Sequence, residues 1–334
     1  MIGLDRLFLR TLMKYSLTIL LLLATIVLQA QFFNKVNWED NRHQLEVGSG
    51  TSNFLGDLGG KDARGTNDLQ DLEPSEYNFG AFIGYKYTIF PKFYGRVNFT
   101  YARVSGSDEL TAEAFRRNRN LHFRSNIWEL SMLAEYEIPI NFRKGHIHDL
   151  RGVKGWKNGG SSLFVFVGIG AFHFNPQAQL DGTWYYLHPL RTEGQGLPNG
   201  PEEYRRVALS VPFGGSFTKR LSPQFSLGFE LSYRFTSTDY IDDVSTEYYN
   251  PYDIALFNDE NPEVAAYFSN PALGVAEEGQ PNYVTAPGQQ RGDPENDDGW
   301  MIFTVKGQYL LGNGYRSPRS QFRRYRAKPL KRRK

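Results

Sequence analysis

The chain has 334 residues, a formal net charge of +2 and no cysteine, which excludes disulfide scaffolds, thiolate metal centres and a lipid anchor on an N-terminal cysteine. Its mean hydropathy is −0.49, yet Gly (33), Phe (25) and Tyr (20) are abundant, a balance that favours one large β domain over helical bundles. Charge is unevenly placed: residues 316–334 carry ten positive side chains and no negative one, whereas 239–298 carry fourteen acidic residues against the single basic Arg291.

The N-terminus has the form of a secretory signal. Arg6, Arg10 and Lys14 precede an apolar run from Tyr15 to Leu28, with Ala30 closing the segment. That run is shorter than the roughly 20 residues a spanning helix needs, so residues 1–30 are expected to be cleaved, an uncleaved anchor being the rival.

Beyond it, eight segments alternate apolar and small or polar residues: about 43–54, 76–90, 93–105, 122–138, 162–175, 206–219, 225–238 and 300–311. In the second, Tyr77, Phe79, Ala81, Ile83, Tyr85, Tyr87 and Ile89 share one face. The third sets Val97, Phe99 and Tyr101 against Arg96, Asn98 and Thr100, and the seventh sets Phe225, Leu227, Phe229, Leu231, Tyr233 and Phe235 against Ser226, Gly228, Glu230, Ser232 and Arg234. The fifth is apolar on both faces, so its facing is left open. Pro91-Lys92 and Leu221–Gln224 read as tight hairpins, while about 55–75, 106–121, 176–205 and 239–299 are long connections. A short helix over Leu110–Arg117 is expected inside the second of these, and the basic stretch 141–160 falls on the side of the tight turns.

A soluble barrel shows the same period with its apolar face inside, and volume decides against it. Eight strands enclose only enough space for side chains, too little for rows dominated by Phe, Tyr, Leu and Trp. The expected fold is therefore an all-β, eight-stranded antiparallel transmembrane β-barrel of the outer-membrane type over 31–311. Its oily face meets outer-membrane lipid, its long loops gather on one side, and a basic tail occupies 312–334. Tyr85, Tyr87, Phe90, Phe93, Tyr136 and Phe225, near strand ends, fit an aromatic girdle. An even strand number puts both termini in the periplasm.

Glu46, Lys86, Arg96, Glu129, Glu135, Glu230, Arg234 and Lys306 fall on the expected inner face, where ions away from bulk water have to pair. A plugged lumen follows, a small gated pore being the alternative.

Signatures of catalysis are poor, and no catalytic residue, cofactor or metal site is assigned. Leu55–Asp62 contains Gly60-Lys61 but lacks the first Gly and the Ser or Thr of a phosphate loop. Asp293, Glu295, Asp297 and Asp298 lack the Gly and bidentate Glu of a calcium loop, and His146 and His148 have no evident third ligand. In an exported chain the basic tail is not expected to meet nucleic acid. Arg316, Arg319, Arg323, Arg324, Arg326 and Lys328 instead offer a surface to an acidic periplasmic protein or to anionic head groups, or form a solvated tail.

Several stretches occur in an order that resembles one family. They are Leu45-Glu46-Val47-Gly48, the run Ser52–Gly60, Asn118-Arg119-Asn120-Leu121 with Glu129, Phe174-Asn175-Pro176 and Pro212-Phe213-Gly214-Gly215. The most specific is Arg234, Thr236 and Thr238–Ser245, including Asp239, Tyr240, Asp242, Asp243 and Ser245, then Tyr248, Arg291-Gly292 and Asn296-Asp297-Asp298. Together they are similar to the PorG-like outer-membrane barrels of the type IX secretion system. The resemblance implies a non-enzymatic component that tethers periplasmic ring proteins of the PorK/PorN type to the outer membrane during secretion and gliding. A small pore and an outer-membrane lipid-modifying enzyme are the other two readings.

Overall fold

The computed structural model describes residues 42–56, 58, 77–110, 114–146, 154–222, 224–273 and 285–311. The signal segment 1–30 and the tail 312–334, with its six named basic residues, lie outside the described residues, as do His148 and most of Leu55–Asp62.

Ten strands form in chain order: β1 (His43–Leu55), β2 (Asn78–Phe90), β3 (Phe93–Ser107), β4 (His122–His146), β5 (Lys154–His173), β6 (Pro176–Leu180), β7 (Thr183–Tyr186), β8 (Val207–Arg220), β9 (Phe225–Thr236) and β10 (Gly299–Leu310). Hydrogen bonding runs β3-β2-β1-β10-β9-β8-β5-β4, and the further β3–β4 pairing closes this order into an eight-stranded antiparallel barrel. β6 and β7 make an additional hairpin, attached through Arg124↔Gln177 to the long-loop end of β4. Closure matters because a ring has no strand edge with unpaired amides.

Alternation becomes geometry along each strand. On β4, Trp128, Leu130 and Met132 are exposed while Ile127, Glu129, Ser131 and Leu133 are buried. The outward row from Trp128 to Ile138 climbs about 23 Å at ~3.3 Å per residue and a tilt near 45°, the height of an apolar bilayer band. Leu45, Val47, Phe79, Ile83, Val97, Phe99, Val165, Ile169, Leu209, Phe229, Phe303 and Val305 continue that belt around the barrel. Aromatic contacts mark both its edges. At the short-turn end Phe90 stacks on Phe93 at 4.9 Å and Phe93 meets Tyr136 at 6.5 Å. At the long-loop end Tyr101 meets Trp128 at 4.6 Å and Phe213 stacks on Phe235 at 5.2 Å. Such an apolar girdle with aromatic rims is stable only against lipid. Among the described residues no helix is long and apolar enough to cross a membrane, so the strands do the crossing.

Two expectations need correction, on the inner face and on the short helix, and two segments gain definition. The inner face is not uniformly small and polar: Phe54, Val104, Phe123, Ile127, Phe172, Trp300 and Ile302 point inward near the long-loop end and join the hydrophobic core there. The fifth segment resolves for the same reason, with Leu163, Val165, Val167 and Ile169 outside and Phe164, Phe166 and Phe172 inside. The basic stretch 141–160 carries strand pairing on the short-turn side, because β4 continues to His146 and β5 starts at Lys154, paired through Arg143↔Lys157 and Lys144↔Trp156. The helix expected over Leu110–Arg117 starts later, as α1 (Ala114–Arg119), after a 3-10 turn at Asp108–Leu110.

The acidic connection 239–298 is folded over its described parts. It contains α2 (Pro251–Leu256) and α3 (Pro262–Ser269), each preceded by Asn and opened by Pro. Asn250 accepts a hydrogen bond from the Tyr252 amide and Pro251 supplies a preset φ, a combination that starts a helix. Ile254, Ala265 and Phe268 turn inward onto Leu187, Leu190 and Ile241, so the connection forms a cap whose core is continuous with the upper lumen.

Candidate functional site

Register brings six charged side chains together at mid-barrel. Lys86 lies opposite Arg96, Tyr94 opposite Glu135, and Gly48 and Gly228 flank Lys306. A glycine is needed at 48, since a Cβ there would run into the Phe82 ring. Arg96 is the hub. Its Nη1 lies 2.7 Å from both Glu46 Oε2 and Glu230 Oε2, its Nη2 donates to Glu230 Oε1 at 2.9 Å, and its Nε is 2.7 Å from Glu135 Oε1. Lys86 Nζ sits 2.5 Å from Glu135 and 3.2 Å from Glu46. Lys306 Nζ sits 2.8 Å from Glu230 and 3.4 Å from Glu46, which also accepts from the Gln308 amide.

One layer closer to the long loops, Arg234 Nε and Nη2 reach Glu129 Oε2 at 3.3 Å, and Ser210 Oγ donates to Glu129 Oε1 at 2.7 Å. All eight side chains are nearly sealed from solvent. Four carboxylates face four cations, so the lumen is electrically balanced. That satisfies the condition under which buried charge is tolerated.

Aromatic rings complete this plug, two of them, Phe164 and Phe166, from the segment whose facing the sequence leaves open. Lys86 Nζ lies 3.8 Å from the Phe164 ring centre and 4.7 Å from that of Tyr94, Arg96 lies 4.9 Å from Phe166, and Arg234 4.2 Å from Trp300. A cation held over a ring face gains a further electrostatic attraction from the ring.

A second polar cluster holds the cap. Glu193 accepts from the Ser245 and Thr246 amides at 2.9 and 3.1 Å, from Thr246 Oγ1 at 2.7 Å and from Arg291 Nη1 at 2.9 Å. Asp243 accepts from Thr192 Oγ1 at 2.5 Å and from the Tyr204 hydroxyl at 2.6 Å, while its backbone carbonyl accepts from Arg291 at 2.7 Å. Those three anchors hold Asp243 at a φ of 68°, a conformation non-glycine residues adopt only when held there. Asp298 accepts from the Ile241 amide at 2.8 Å and Asp242 from the Val244 amide at 2.9 Å. Arg119 joins the network, pairing with Asp108 at 2.7 Å and donating to the Arg291 carbonyl at 2.6 Å.

Burial pushes the Asp243 carboxyl up to about 6 although Arg291, Thr192 and Tyr204 pull it down. Burial, reinforced by Glu193, lifts the Tyr240 hydroxyl to about 12. Arg291 stays charged: burial works against its cation, but Glu193 and Asp243 outweigh it and hold its pKa above the usual guanidinium value.

The loop residues Asp239, Tyr240, Asp242, Asp243, Ser245 and Tyr248 thus share one strap, all half-buried or buried, with Tyr240 stacked on Tyr204 at 4.5 Å. Asp242 accepts from a backbone amide and Asp243 from two hydroxyls, so these carboxylates fasten the strap to its surroundings. Sequence reasoning missed Glu193, Tyr204 and Thr192 as their partners. These lie some 40 to 50 residues away with no periodic relation to the strap. Outside the strap, an open cleft of about 960 Å³ is lined by Glu247, Tyr249, Asn250, Asp253, Asp293 and Glu295 among others, and by no basic residue. Among the described residues no three His, Asp or Glu side chains gather as a metal site would require.

Comparison with known proteins gives one family match, to the model described as "Domain of unknown function (DUF6089)", over residues 17–185. No curated protein matches. Among solved structures the chain is similar to Neisserial surface protein A (NspA), with 7% identity, a TM-score of 0.34, and coverage of 80% of this chain and 97% of that one. It is also similar to Ail, the attachment invasion locus protein of Yersinia pestis, solved with the heparin analogue sucrose octasulfate (9%, 0.33, 81% and 98%). A third is the N-terminal β-barrel domain of Pseudomonas aeruginosa OprF (9%, 0.30, 81% and 98%).

Proposed function

The chain belongs to the DUF6089 family, a domain of unknown function, and from its geometry we propose that it is a non-enzymatic outer-membrane barrel whose work is mechanical: a sealed anchor for periplasmic machinery. The observation that carries this is the lumen. A transport path needs wet, mobile charge, whereas here the charged groups are fully paired, covered by aromatic faces, and roofed by a packed cap. An active site needs a reactive group open to substrate, whereas Asp242, Asp243, Asp298 and Glu193 are buried and held by loop amides, hydroxyls and Arg291.

The machinery proposed is the type IX secretion system, with ring proteins of the PorK/PorN type as the docking partner. Support comes from the ordered resemblance of 45–310 to PorG-like barrels and from the basic residues 316–334. The β4–β5 ribbon supports it too, because its pairing continues past the lipid belt on the short-turn side, where a periplasmic partner would meet it. Charge complementarity of this kind weakens with salt.

Crosslinking in whole envelopes followed by pull-down tests the tether. Ring proteins should be recovered with the full chain at low salt and lost on deleting 316–334; unchanged recovery removes the tail from the account. In planar bilayers the purified barrel should show no steady conductance, and steady conductance would favour the pore.

A further inference from the structure

Two guanidinium groups lie on the lipid-facing wall where the oily belt ends. On β3 the outward residues run Val97, Phe99, Tyr101, Arg103; on β4, counted toward the long loops, they run Met132, Leu130, Trp128, Asn126, Arg124. Arg103 is therefore one outward step, about 7 Å along the strand, beyond the Tyr101–Trp128 aromatic rim, at head-group depth.

Register makes the two cations neighbours. Arg103 pairs with Asn126 and Ser105 with Arg124, so Arg103 and Arg124 are diagonal partners on one face. Both are pre-oriented in the same manner. Arg103 gives its Nε–H to Asn126 Oδ1 at 3.0 Å, and that oxygen also accepts from the Tyr101 hydroxyl at 3.0 Å. Arg124 gives its Nε–H to Gln177 Oε1 at 3.1 Å and lies flat over Trp184, 3.4 Å from the ring centre. Each cation is thus fixed through its Nε by a neutral oxygen, which leaves its two Nη groups for another acceptor. Among the described residues neither guanidinium is within 4.0 Å of a carboxylate, unlike Arg96, Arg119, Arg234 and Arg291.

Like charges held side by side without an anion of the protein's own call for one from outside. The neighbouring medium at that depth supplies phosphate, whose oxygens match the Arg fork. We propose that Arg103 and Arg124, with Asn126, Gln177 and Trp184 as their frame, form a binding site for the phosphate head group of an outer-leaflet lipid. The site deepens the membrane reading above and rests on it.

The test uses the full mature chain in phosphatidylcholine nanodiscs doped with bis-phosphorylated lipid A or with its dephosphorylated counterpart, the retained glycolipid being measured per barrel. Wild type should prefer the phosphorylated form by about tenfold or more, the worth of one charge-assisted contact. R103Q/R124Q should lose that preference, and R103K/R124K, which keeps charge but not the fork, should keep part of it. Equal retention of the two lipids by wild type, or an undiminished preference in R103Q/R124Q, overturns the site. The wild-type arm decides even if the variant misfolds. Failure of the chain to enter discs strikes the membrane reading and the site together, whereas entry without preference strikes the site alone.

Discussion

The lumen and the cap both bury ions, and they do so for opposite reasons. In the lumen the backbone is already satisfied by the barrel ladder, so Glu46, Glu129, Glu135 and Glu230 meet only side chains, and the count of charges has to balance. In the cap there is little ladder. Glu193, Asp242 and Asp298 take over its role by accepting from loop amides, with Arg291 pairing Glu193 and bonding the Asp243 carbonyl. The same residue type fills a tube in one place and replaces secondary structure in the other.

The sharpest way to break that contrast is Arg96→Met. It leaves three carboxylates facing two lysines in a sealed space, and removing one partner of a buried ion set costs about 3–5 kcal/mol. Urea unfolding of the refolded barrel in detergent should show the loss; a cost near zero would mean that the lumen is wetter than described.

The cap is expected to respond to pH through Asp243. Asp243 has a folded pKa of about 6 against an ordinary value of 3.8, so the folded state holds its proton more tightly. The resulting stability is fully present below about pH 4 and is lost as pH rises through about 6, a swing of roughly 3 kcal/mol. Protease resistance of residues 239–298 should accordingly be greater at pH 5 than at pH 8. Asp243→Asn should flatten that difference, and an unchanged difference would remove Asp243 as its source. The smallest effect is expected from Asn250→Ala at the start of α2, about 1 kcal/mol, visible as faster hydrogen exchange in the cap with barrel unfolding unchanged.

How legible this was depends on the period. Lys86, Arg96 and Glu230 sit on the small-residue parity of their strands, so the inner face is readable from alternation, though the distances between them are not. Phe164 and Phe166 were illegible because Leu163, Val165 and Val167 are apolar too, and two oily faces carry no sign of which meets lipid. The belt-and-closure architecture survives that ambiguity because the other strands fix the handedness of in and out. In the cap nothing periodic links Glu193 to Arg291, 98 residues apart. Only the Asn-Pro pairs at 250–251 and 261–262 announce its helices, and an acidic composition masks them.

The seam where the first and last strands meet gives the plug a part in biogenesis. Glu46 stands on β1 and Lys306 on β10, and their contact forms only when those two strands zip together. In a partly inserted sheet Glu46 keeps only Lys86 and Arg96, and Lys306 only Glu230, while two strand edges stand unpaired in hydrocarbon. Completing the ring adds the Glu46–Lys306 contact and removes both edges together, so integration into the bilayer and circularisation are coupled, and a stalled intermediate is left with no comfortable depth at which to rest.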